Sequence, residues 1–135
     1  MICLPDTNAF SRHLRGRSER LSAGMQESLA KGEMRLSVIV LSELEYGAAK
    51  ALLAGERRPA RRVAQLRKVV PLQDFPVAAA ELYGRLRSGL ERDGKVIGGM
   101  DMLLAAHALF LDALVVTANT GEFERVPGLR VENWE

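Results

Sequence analysis

Four acidic or amide positions stand where a short apolar run gives way to a helical pattern. They are Asp6 in Leu4-Pro5-Asp6-Thr7-Asn8, Glu43 in Leu41-Ser42-Glu43-Leu44, Asp101 in Gly98-Gly99-Met100-Asp101, and the Asn119/Glu122 pair in Thr117-Ala118-Asn119-Thr120-Gly121-Glu122-Phe123. In a chain that alternates strand and helix, such junctions lie along one edge of a parallel sheet, where open α/β folds bind their ligands. Carboxylates gathered there repel one another unless a cation joins them. Oxygen donors favour Mg²⁺ or Mn²⁺. An ion of that kind lowers the pKa of bound water and orients it for in-line attack on phosphorus. The pattern predicts a hard-metal site that handles phosphate esters.

Other chemistries lack their residues. Cys3, His13 and His107 are the only thiol and imidazole groups, too few for a Cys/His zinc site. There is no Gly-x-Ser-x-Gly elbow and no Gly-x-x-x-x-Gly-Lys phosphate loop. A single acid at a helix start is usually a cap or a dipole partner, so the prediction rests on several acids sharing one edge. Thr7, Asn8 and Thr117 are placed either to hydrogen-bond those acids or to satisfy loop backbone. His107 falls six residues after Asp101 and reads as a packing histidine, and His13 is expected to face solvent. Arg57, Arg58, Arg61, Arg62, Arg67 and Lys68 read first as a solvated helix face and second as a phosphate grip.

The elements that must position these residues follow from periodicity and turn chemistry. Ile2-Cys3-Leu4 suits a first strand, with Pro5 as its awkward last residue. Asn8 to Arg15 reads as a helix ended by Gly16, and Arg20 to Ala30 as a second, ended by Lys31-Gly32. Leu36 to Leu41 has the strongest strand pattern of the chain. Ser42 and Glu45 match a capping box, which starts a helix to about Leu53 with Glu43 in its first turn. A basic helix from Ala60 to Lys68, a strand over Val69–Leu72 and a helix from Phe75 to Arg92 capped by Asp74 come next. A helix from Met100 or Asp101 to Phe110 places Asp101, Ala105 and Ala108 on one face. Ala113–Thr117 and Leu129–Val131 close the chain as strands, the latter at an edge. The sum is a three-layer α/β/α sandwich around a mostly parallel sheet of four to five strands, in one domain over residues 1–135.

At 135 residues, 47% apolar and 27% charged, the chain can bury a core without disulfides. No apolar run approaches a membrane span, and Met1 leads into a strand rather than a signal peptide, so a cytoplasmic location is expected. The single Cys3 reads as a small buried hydrophobe in a reducing compartment. Net charge is only +2, but with several acids assigned to one cleft the remaining surface is more basic. That balance is compatible with a nucleic-acid substrate.

These residues, in this order, resemble the PIN-domain ribonucleases, specifically the VapC-like toxins of type II toxin–antitoxin pairs. The matching stretches are Leu4–Asn8, Leu41–Gly47, Ile97–Ala108 and Thr117–Trp134, the last being the most distinctive. The resemblance implies a Mg²⁺- or Mn²⁺-dependent endoribonuclease that cuts tRNA or rRNA, a VapB-like antitoxin partner that blocks the cleft, and a homodimer. By position, Asp6, Glu43 and Asp101 match the three core family acids. Asn119 stands where many relatives carry Asp, and Glu122 supplies an acid three residues on; either completes the site. Pro5 departs from the aliphatic residue that is usual there.

Two rivals make different demands. A metal-independent ribonuclease would use His13 and His107 as an acid–base pair and leave cyclic phosphate ends. A catalytically silent module would bind RNA or a partner through the same cleft without turnover.

Overall fold

The computed structural model describes residues 1–135. Its elements run β1 (Cys3–Pro5), α1 (Thr7–Leu14), α2 (Glu19–Ala30), β2 (Leu36–Ser37), α3 (Val38–Leu53), α4 (Arg58–Val69), β3 (Leu72–Gln73), α5 (Val77–Arg92), α6 (Gly99–Leu111), β4 (Leu114–Val116), α7 (Thr120–Phe123) and β5 (Arg130–Glu132). Strands β1, β4 and β5 form a parallel sheet in the order β1-β4-β5, and β2 pairs in parallel with β3. A parallel bridge between Cys3 and Met34 joins the two pieces. The strand order is therefore 3-2-1-4-5, and the expected parallel α/β/α architecture holds.

Pro5 explains why the joint is so short. Asp6 N donates to Val116 O on the β4 side, while Cys3 N donates to Glu33 O on the β2 side. Alternation along the strand then turns position 5 toward β2, where proline has no N–H to offer. The β1–β2 ladder stops at that point, and the β4 side is unaffected.

The most strand-like segment of the sequence is mostly helix. β2 ends at Ser37, and Val38–Leu41 form the first turn of α3. Ser37 is the N-cap, its Oγ accepting from Ile39 N at 3.2 Å. The run Val38-Ile39-Val40-Leu41 costs a few tenths of a kcal/mol per residue in a helix. Burial outweighs that cost, since Val40, Leu41, Leu44 and Ala48 lie on one face against the core. The expected capping box at Ser42 does not form: Ser42 Oγ donates to Val38 O, one turn back. Glu43 accordingly sits in the second turn of α3, not the first.

Two further boundaries shift. Helix α5 starts at Val77 with Pro76 as its N-cap residue, because a proline disfavours the helical region for the residue before it and so keeps Phe75 out. Asp74 does not cap that helix. The helical pattern expected at Asn119 and Glu122 amounts to α7, a single turn over Thr120–Phe123. The strand expected over Val69–Leu72 is displaced: Val69 ends α4, Pro71 keeps Val70 extended, and β3 is Leu72–Gln73. Gly16 and Gly32 follow their helices as expected, with φ of 64° and 71°, and Cys3 is buried and free. The main core joins both layers through Phe10, Leu36, Val115 and Phe123, none exposed, with Ala105 and Ala108 of α6 packed flush among them. No helix is long and apolar enough to cross a membrane.

Candidate active site

Asp6 closes β1 and is the N-cap of α1. Its Oδ1 accepts from Ala9 N at 2.8 Å, and its Oδ2 accepts from Thr117 Oγ1 at 2.5 Å. Thr117 directly follows β4, the neighbour of β1, so the register of those strands sets the contact. The same hydroxyl accepts from Asn119 N at 2.9 Å, which shapes the turn into α7. Both residues are buried, Asp6 at 7% and Thr117 at 1% exposure. Thr7, next to Asp6, donates through Oγ1 to Glu43 Oε1 at 2.7 Å. Two threonines therefore tie together the ends of β1 and β4 and the second turn of α3.

Asp101 enters from the first turn of α6. A helix N-terminus favours a carboxylate, yet Asp101 is pushed up to about 6. Burial is the largest cause, followed by the charges of Glu122, Asp6 and Glu43 and by a hydrogen bond with Glu122. Asp6 is also raised, chiefly by burial and further by Glu43 and Glu135, against the opposing hydrogen bonds from Thr117 and Ala9. Glu122 is held by Asn119, whose Nδ2 donates to Glu122 Oε2 at 2.8 Å. The five positions singled out from sequence thus share one site, with Asp101 feeling three acids from three other segments. Thr7 and Thr117 contact it directly. Asn8 is exposed and makes no hydrogen bond to any of the acids.

Glu135 was missed. It pairs with Arg12 and adds to the negative field at Asp6. Nothing local in the sequence marks a C-terminal residue as a neighbour of the first strand.

None of Asp6, Glu43, Asp101 or Glu122 forms an ion pair with Lys, Arg or His. Carboxylates crowded without a basic partner suit a hard divalent cation. No three of the chain's His, Cys, Asp and Glu side chains converge closely enough to enclose an ion by themselves.

The two histidines do not form a catalytic pair. His107 has no exposure; its Nδ1 is 2.8 Å from Ser37 Oγ, its Nε2 is 2.9 Å from Asp74 O, and its ring meets Phe75 edge-on at 5.2 Å. It is the packing histidine that its place on α6 suggested. His13 is half-buried rather than solvent-facing, because its Nδ1 lies 2.9 Å from Ser22 Oγ on α2.

Comparison with known proteins places this geometry. The PIN domain family model matches residues 3–129. The chain is 36% identical to ribonuclease VapC2 of Rickettsia felis, covering 100% of this chain and 99% of that one. It is also 36% identical to the tRNA(fMet)-specific endonuclease VapC of Salmonella typhimurium, over 96% and 95% of the two chains. Among solved structures, it superposes on VapBC2 of Rickettsia felis bound to a promoter DNA fragment with a TM-score of 0.91, at 30% identity and full coverage of both chains. With the DNA-bound VapBC of Salmonella typhimurium the TM-score is 0.85, at 32% identity over 100% and 99% of the chains. The chain belongs to the PIN-domain family, among its VapC-type ribonuclease toxins.

Proposed function

We propose that the protein is an endoribonuclease toxin that hydrolyses RNA phosphodiesters with Mg²⁺ or Mn²⁺ and is silenced by a VapB-like antitoxin. The observation that carries this reading is the cluster of Asp6, Glu43, Asp101 and Glu122 at one sheet edge with no basic counterion.

Asp6 and Asp101 are the residues to hold the ion, Asp6 with its carboxylate already oriented by Ala9 N and Thr117 Oγ1. Glu43 orients the attacking water, its carboxylate held by the Thr7 hydroxyl at Oε1 so that the other oxygen stays available. Asn119 and Glu122 act as a pair at the rim, the amide holding the acid in place. Thr117 keeps Asp6 in its rotamer. A divalent ion held by Asp6 and Asp101 would supply charge neutralisation at the scissile phosphate and a lowered pKa for bound water. Because water rather than a ribose hydroxyl attacks, the products carry no cyclic phosphate.

The substrate class follows from relatives named as tRNA endonucleases, and the partner from solved VapBC complexes of the same fold. A homodimer is part of the proposal; Tyr46 and Leu53 on α3, 69% and 92% exposed, are apolar groups that a second copy would cover. Incubating the purified chain with a tRNA pool tests the reading. Cleavage that needs Mg²⁺ or Mn²⁺, stops with EDTA and stops again with the cognate antitoxin is expected. Cleavage that survives EDTA overturns the metal assignment, and RNA binding without turnover under both metals identifies a silent module.

A further inference from the structure

Beside the acids lies a second feature of opposite charge. Between the end of α1 and the start of α4 is a cleft of about 530 Å³ with no hydrophobic residue in its lining. Its walls carry Arg15, Arg17, Arg58 and Arg62, with Glu56 as the one acid. Glu56 is committed: it accepts from Arg58 N at 2.9 Å and from the Arg58 guanidinium at 2.7 and 3.0 Å. Those bonds hold its carboxyl down at about 2, so it stays ionised and spent on that single arginine. The guanidinium groups of Arg15, Arg17 and Arg62 have no ion pair or hydrogen bond within the chain. Arg58 and Arg62 share a face of α4 by their i, i+4 spacing.

This cleft is not isolated. A groove of about 270 Å³ shares Arg15, Pro59 and Arg62 with it and ends at Thr7 and Glu43 of the acid site; unlike the arginine cleft, it is walled in part by Leu14, Leu44, Ala48 and Val63. Arg57, Arg61, Arg67 and Lys68 stay exposed outside the cleft, so the reading of a solvated basic face holds for them. Arg58 and Arg62 are the exceptions.

We infer that Arg15, Arg17 and Arg62 form a binding site for the RNA backbone flanking the scissile phosphate, with the groove past Ser11 guiding the strand from Glu43 to the arginines. Unpaired planar guanidinium groups in a cleft lined by charged side chains match phosphate oxygens. The inference rests on the ribonuclease reading and adds to it a substrate-gripping surface outside the acid site.

The test measures affinity of the purified chain for a labelled single-stranded RNA oligonucleotide of mixed sequence in EDTA, and steady-state cleavage of a tRNA pool in Mg²⁺. In the triple variant Arg15→Gln, Arg17→Gln, Arg62→Gln, RNA affinity should fall at least about tenfold. The slope of log affinity against log salt should shrink by about 2, as expected for three lost phosphate contacts on a single strand. KM should rise while kcat changes little. A charge-matched control on the far side of the sheet, Lys31→Gln, Arg35→Gln, Arg130→Gln, should leave both near the unsubstituted values. Glu56→Gln should tighten binding severalfold, a gain that misfolding cannot imitate. Equal losses in the two triple variants would overturn the site as a mere net-charge effect. So would unchanged RNA affinity; a triple variant that keeps its RNA affinity but binds the purified cognate antitoxin more weakly, measured in parallel, would assign the cleft to the protein partner instead. If the unsubstituted chain neither binds nor cuts RNA, the ribonuclease reading itself falls, an outcome distinct from failure at the arginines alone.

Discussion

The molecule holds two polar constellations, one buried and one at a half-exposed sheet edge, that differ in how their charges are answered. Around His107 every polar atom has a partner: Ser37 at one ring nitrogen, the Asp74 carbonyl at the other, and Phe75 against the ring face. Around Asp101 the neighbours are acids of the same sign, and no basic side chain answers them. Burial pushes both groups toward their neutral forms, so His107 is lowered and Asp101 is raised. The first arrangement holds three segments together. The second is poised for something the chain does not itself contain, and that asymmetry separates a structural polar site from a functional one.

The sharpest way to break this contrast is to remove an acid. Asp6→Asn or Asp101→Asn should abolish RNA cleavage while circular dichroism shows a folded chain. Gel-based cleavage of tRNA in Mg²⁺ reads the effect directly. Retained activity in either variant would place the chemistry elsewhere.

The opposite outcome is expected at the histidine. His107→Ala leaves a cavity and strips partners from Ser37 Oγ and Asp74 O. It should cost about 3 kcal/mol in urea unfolding, while the folded fraction cleaves RNA at the normal rate. A variant that is stable but inactive would revive the histidine mechanism.

Thr7→Val probes the boundary between the two kinds of site. The valine keeps the volume but frees Glu43 from its 2.7 Å hydrogen bond. Supporting contacts of this kind are worth roughly 10- to 100-fold, and the low end is expected for an exposed-edge carboxylate. The loss should fall on kcat with KM nearly unchanged, because Thr7 aims a reacting group and does not bind the strand.

How far the sequence reveals this contrast depends on what each residue's neighbours are. The acids are legible because strand-to-helix junctions recur at one sheet edge, so Asp6, Asp101 and Glu122 are placed by topology before any contact is known. Glu43 is reached by a flawed route. The run from Leu36 to Leu41 has β-branched composition, and only tertiary burial of Val40 and Leu41 decides that α3 begins at Val38. The carboxylate still arrives because one extra helical turn advances along the same edge. Short apolar runs carry no periodicity that separates a buried strand from a buried helix. Glu135 is not legible, and of the arginine cleft only Arg58 and Arg62 are, as members of a basic run whose second reading is a phosphate grip; that Arg15 and Arg17 join Arg62 depends on segments brought together by folding and on ion pairs that are made or left unmade.

The smallest expected effect has a sign that discriminates most finely. In EDTA, Asp101 is a raised carboxyl: folded near 6, against an ordinary value of 3.8. Between those values the folded chain binds more protons than the unfolded one, so Asp101 makes stability rise as pH falls from about 6 toward 3.8. Above pH 6 its charge is a net cost. Asp101→Asn removes that cost and should stabilise the chain at pH 7.5 by about 1 kcal/mol, a figure discounted from the full shift because the group is half-exposed and screened by solvent. His13 and His107, both lowered, pull the other way as pH falls, so the informative quantity is the difference between the two chains in parallel urea titrations. That difference should shrink toward zero between pH 6 and pH 4. Adding Mg²⁺ at pH 7.5 should stabilise the unsubstituted chain and not the variant. A variant that is less stable than its parent at pH 7.5 without metal would mean that Asp101 is a structural acid, and that the contrast with His107 is one of degree only.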